Sequence, residues 1–95
     1  AMSSSEARIA TKLATRYLSQ LCKHFAHRLP VTLTETEGSI TFGIGSCTLA
    51  ATPDTLLLRA TADSAEQRAE LEGVVARHLE RFAFREPVSV VWVEK

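Results

Sequence analysis

Cysteine and histidine at short spacing are the side chains that bind zinc or iron and that carry nucleophilic catalysis. The stretch Leu21-Cys22-Lys23-His24-Phe25-Ala26-His27-Arg28 gathers one of the chain's two cysteines and two of its three histidines. Cys47 and His78 complete the set. If this stretch is helical, successive residues turn by roughly 100°, so His24 and His27 point within about 60° of each other while Cys22 stands about 140° or more from both. One metal ion could then take both histidines but not the cysteine. Third and fourth ligands have to come from elsewhere, and His78 is the candidate for one of them, giving a metal set of His24, His27 and His78 for iron or zinc. A composite of His24 or His27 with Cys47 and His78 would instead suit a thiol- or histidine-dependent enzyme.

The same residues have a plainer structural role. Cys22 falls on the edge of an apolar stripe, where a small buried thiol packs well. The two helix-terminal histidines suit the negative end of the helix macrodipole. His78 sits inside the apolar stripe of a second helical pattern and must find a hydrogen-bond partner there, such as a carbonyl or Tyr17. Gly43-Ile44-Gly45-Ser46 precedes a strand and not a helix, so it is a hairpin and not a phosphate cradle. No nucleophile-elbow pattern is present. Arg85-Glu86 could form a surface ion pair or anchor a partner, and the surface pair is the default expectation.

These residues have to be positioned by elements that the hydrophobic pattern suggests. Ser3 with Glu6 matches a capping box, and Ile9, Leu13, Tyr17, Leu21 and Phe25 recur every fourth position up to Pro30, which predicts one long N-terminal helix. From Val31 to Thr61 the period becomes two, with turns at Glu37-Gly38, Gly45-Ser46 and Pro53-Asp54, which predicts a four-strand antiparallel meander. Asp63 with Glu66 repeats the cap pattern ahead of Leu71, Val74, Val75, His78, Leu79 and Phe82, a second helix. Pro87 opens a last strand, Val88 to Val93, apolar on both sides. It is expected beside Val31 to Thr36, either as an inner strand or covered by a partner subunit. The expected fold is an α+β two-layer sandwich of order α-β-β-β-β-α-β, an antiparallel sheet with both helices on one face. One domain over 1–95 accounts for the length, with 1–5 a flexible start and Ala1 ahead of Met2 an expression scar.

Composition narrows the function classes. Hydrophobic residues at 45% and charged ones at 23% are the balance of a soluble globular chain. A formal net charge of zero removes the bulk electrostatic case for nucleic acid, and the basic face Lys12, Arg16 and Lys23 lacks interleaved aromatics. No apolar run approaches the roughly 20 residues that span a bilayer. No secretory signal opens the chain, and both cysteines are expected to be reduced, so the expected compartment is the cytoplasm.

Three stretches carry a family likeness: Arg16-Tyr17-Leu18-Ser19-Gln20-Leu21-Cys22-Lys23-His24-Phe25-Ala26-His27, Gly45-Ser46-Cys47-Thr48-Leu49, and His78-Leu79-Glu80-Arg81-Phe82-Ala83-Phe84-Arg85-Glu86. They resemble the bacterial DUF2218 family, and the likeness covers nearly the whole chain after the N-terminal serines. The resemblance implies no established catalytic residue. It does imply an association with flavin-dependent siderophore-interacting reductases, and so with iron utilisation. If the similar stretches mark a shared site, its residues are Cys22, His24, His27, Cys47, His78 and Arg85. The expectation is a homodimeric, non-catalytic binding or accessory protein with a siderophore-interacting reductase as partner, and a metal or thiol/histidine-dependent enzyme is the alternative.

Overall fold

The computed structural model describes residues 2–95, so the expression scar expected at Ala1 lies outside it. The elements are β1 (Ser3–Ala10), α1 (Ala14–Ala26), β2 (Val31–Leu33), β3 (Glu37–Phe42), β4 (Gly45–Ala51), β5 (Thr55–Ala62), α2 (Ala65–Phe82) and β6 (Val93–Glu94). They build one antiparallel sheet of order β2-β3-β4-β5-β1-β6. The α+β class is as the pattern predicts, and from α1 onward so is the element order.

The first element differs. Ser3–Ala10 pairs along its whole length with β5, from Ser3 opposite Ala62 to Ala10 opposite Thr55, instead of opening a helix or forming a flexible start. Both periods fit this stretch: Ile9 begins the every-fourth series, yet Ser5, Ala7 and Ile9 alternate and are the residues that are buried. The open side of β5 decides between them, because a strand there satisfies a full ladder of backbone groups. The helix starts after Thr11, whose Oγ1 accepts from the Leu13 N–H at 3.0 Å. It ends where the Arg28 and Leu29 N–H groups both return to the Phe25 carbonyl, ahead of Pro30.

Four further boundaries are corrected. Glu37-Gly38 and Gly45-Ser46 lie inside β3 and β4, and the turns fall just before each, at 35–36 and 43–44. Ser64, not Asp63, caps α2: its backbone is extended and its Oγ accepts from the Gln67 N–H at 3.1 Å. The last strand is reduced to Val93–Glu94 and pairs with β1, opposite Glu6 and Ser5, leaving β2 at the other edge. Once β1 is a strand, it offers the free edge that the C-terminal segment takes.

The strand faces follow from the register. Ala7, Ile9, Ile40, Cys47, Leu49, Leu56, Leu58 and Ala60 project to one side and are buried under Leu18, Leu21 and Phe25 of α1 and Leu71, Val75 and Leu79 of α2. Burying a leucine completely stabilises by about 1.5–3 kcal/mol relative to exposure, so these side chains hold the helices on the sheet. Val88, Val90 and Trp92 pack against the edge of this core while Val91 and Val93 face out. One polar network ties α2 and the C-terminal end to β1. Ser5 donates to Glu72, which pairs with Arg68 at 3.2 Å, and Arg68 reaches Ser3 and Glu94.

Candidate functional site

The histidines meet where the C-terminal half of α1 packs beside α2. The His24 and His78 ring centroids are 4.9 Å apart, and His78 lies equally close to Phe25. Phe82 closes on His24 from α2 at 5.7 Å, and Phe42 of β3 meets Phe25 edge-on at 5.1 Å. Each such aromatic contact contributes about 0.5–1.5 kcal/mol beyond burial, enough to fix the rings against one another.

His78 is half-buried and finds its hydrogen-bond partner locally. A carbonyl can only accept, so its Nδ1–H donates to the Val74 carbonyl one turn back, at 2.7 Å. Desolvation is the first cause that pushes the His24 imidazole below its ordinary value, and positive charge on His78, His27 and Arg81 adds to it. His24 is therefore a neutral imidazole at pH 7, the form that accepts a ligand or a proton.

Around this cluster runs a groove of about 490 Å³. Phe25, Leu29, Phe42 and Val74 make its apolar floor, and His24, His27 and Arg28 make its rim. Leu29, Val74 and Arg28 are not among the site residues expected from the sequence. A trace was present: Phe42 is the one aromatic of the meander, at the end of β3 next to Pro30.

The thiols lie elsewhere. Cys22 and Cys47 are both free and fully buried. Burial pushes the Cys47 thiol up to about 12, against a lowering backbone contact from Arg59, and burial raises Cys22 as well. Neither thiol has the exposed, electropositive setting of a nucleophile. Among the described residues no group of three or more His, Cys, Asp or Glu side chains is placed to hold a metal ion by itself. Arg85 sits 5.5 Å over the Phe84 ring in a small cleft with Arg16, Tyr17 and Gln20. The expected Arg85–Glu86 surface pair is replaced by a half-buried node, in which the Tyr17 and Thr11 hydroxyls both donate to Glu86, at 2.8 and 3.1 Å.

The family model described as "Uncharacterized protein conserved in bacteria (DUF2218)" matches residues 6–93. The chain belongs to the DUF2218 family. Of solved structures, the NMR structure of PA4090 from Pseudomonas aeruginosa is similar to it, at 36% identity over 96% of this chain and 95% of that chain, with a TM-score of 0.81. No curated protein matches the chain. Among the described residues of this DUF2218 chain, no helix is long and apolar enough to cross a membrane.

Proposed function

We propose that the chain is a non-catalytic binding or accessory protein that takes an amphipathic anion, an aromatic or fatty carboxylate, in the groove between α1, α2 and β3. One observation carries this: an apolar floor of Phe25, Leu29, Phe42 and Val74 under a rim bearing the Arg28 guanidinium and the His27 imidazole. Such a lining recognises a molecule with one greasy and one acidic end. Aromatic iron chelators belong to that chemical class, which fits the proposed place in siderophore-iron utilisation and a siderophore-interacting reductase as partner. The buried thiols support a role without covalent chemistry.

An NMR titration of ¹⁵N-labelled protein with benzoate, decanoate and decanol tests it. The two acids should shift amides of residues 24–29, Phe42 and Val74, decanol should bind more weakly, and Arg28→Ala should weaken the acids alone. Absence of shifts at millimolar acid, or shifts confined to other surfaces, overturns the proposal.

A second reading rests on the His24–His78 contact at 4.9 Å. His78 Nε2 and His24 would supply two ligands to iron or zinc, with His27 or oxygen atoms of the bound molecule completing the set. Elemental mass spectrometry on protein purified without chelator should find metal that is lost in His78→Gln. Equal metal content in wild type and variant removes this reading.

A further inference from the structure

The helices cover one face of the sheet, and among the described residues no element lies on the other. Its side chains follow from the register. One row crosses all six strands as Val93, Glu6, Arg59, Thr48, Ser39 and Thr32. The neighbouring row runs Arg8, Leu57, Ala50 and Glu37 across β1, β5, β4 and β3. Arg8 and Glu37 are exposed, and Leu57 and Ala50 between them are half-buried. Val93 adds an apolar side chain, 54% exposed, at the β6 end.

This second row is complementary to its own reversal. Cation, two apolar residues and anion become anion, two apolar residues and cation when the row is turned about its midpoint. That midpoint falls between β4 and β5, which is also the midpoint of the six strands. We infer that this face packs against the same face of a second copy, about a two-fold axis lying between the sheets and parallel to β4 and β5.

The rotation sets β4 over β5 of the partner, β3 over β1 and β2 over β6, so every strand is covered. Leu57 meets Ala50 of the partner subunit, and Arg8 meets Glu37 of the partner subunit twice, by symmetry. Packed sheets lie about 10 Å apart, a gap that arginine and glutamate side chains close between them. Arg59 falls over Thr48 of the partner subunit while keeping Glu6 beside it on its own sheet.

Other occupants fit less well. The rows hold no aromatic side chain on which a sugar or base would stack. Continuation of the sheet edge to edge is poorly supported, since β2 and β6 have three and two residues.

Sedimentation velocity and light scattering on the full chain test the inference, with circular dichroism confirming each variant's fold. Wild type at about 100 μM should show twice the 10.4 kDa chain mass, and 1 M salt should weaken the association. Arg8→Glu and Glu37→Arg should each raise the dimer dissociation constant at least tenfold, through repulsion against the unchanged partner charge. Combining them should restore association to within a few-fold of wild type. A monomeric wild type overturns the inference, as does a dimer indifferent to either single reversal or a double variant that fails to recover. The groove titration reads a different surface, so either proposal can fail alone.

Discussion

The Cys22 sulfur lies directly over the backbone of Gly38, so close that a Cβ added there would stand 2.5 Å from it. Gly38 faces Leu33 and Leu49 across β3, so the missing side chain is what lets α1 settle onto the sheet at this point. Gly38→Ala should destabilise by about 1–3 kcal/mol, the range for overpacking a tight core. The cost should shrink in a Cys22→Ala background, because the obstructing sulfur is gone. Urea unfolding followed by the fluorescence of Trp92, the single tryptophan, measures both. Equal costs in the two backgrounds would place the strain elsewhere.

Both thiols are fully buried with raised pKa, burial being the first cause in each. Ellman's reagent at pH 8 should therefore leave native protein unlabelled and label both cysteines in denaturant. The linkage sign follows: the unfolded thiols ionise at lower pH than the folded ones, so stability is lost as pH rises above the ordinary thiol range. A fast native reaction at either site would contradict the buried placement.

Tyr17 is the chain's single tyrosine and is raised above its ordinary value by burial first, then by its hydrogen bond and charge interaction with Glu86. Absorbance at 295 nm should show one phenol ionising later than free tyrosine. Glu86→Gln should bring that midpoint down, since the repelling carboxylate is removed. An unmoved midpoint would mean that burial alone sets it.

His24 should titrate below the free imidazole in an NMR pH series, and His78→Gln should raise its midpoint by removing one of the repelling charges. A lowered histidine means that the unfolded chain binds the proton more readily. Stability from this group is therefore present above pH about 6.5 and falls as pH drops through the folded midpoint. A His24 midpoint at or above that of free imidazole would contradict the packing of the cluster.

The parts of the fold that were legible in the sequence are those where one period dominates. The β3 to β5 alternation and the Leu71, Val75, Leu79 stripe could be read without tertiary information. Ser3–Ala10 could not, because its apolar residues satisfy both periods and the deciding fact is the unpaired side of β5, fifty residues away. The convergence of His24 with His78 was partly legible, since two helices on one sheet face have to meet. Cys47 and Arg85 were grouped with them by residue type alone. The register instead sends Cys47 into the core opposite Ile40 and Ala60, and the turn after α2 carries Arg85 to Phe84. The groove floor needed the position of Leu29 after the helix end, which no periodic pattern specifies.

The place of β1 between β5 and β6 also fixes an order of events during synthesis. This strand is translated before every other described element, yet its first partner is complete only when Ala62 has been made. At the ribosome's roughly 5–20 residues per second it waits a few seconds with both edges unpaired. Its composition suits that wait. Serine, alanine, Glu6 and Arg8 leave Ile9 as its only large apolar side chain, too little to recruit a neighbouring nascent chain. Sheet closure is therefore a late, long-range step, and the final residues cannot dock until the first ones have found their place.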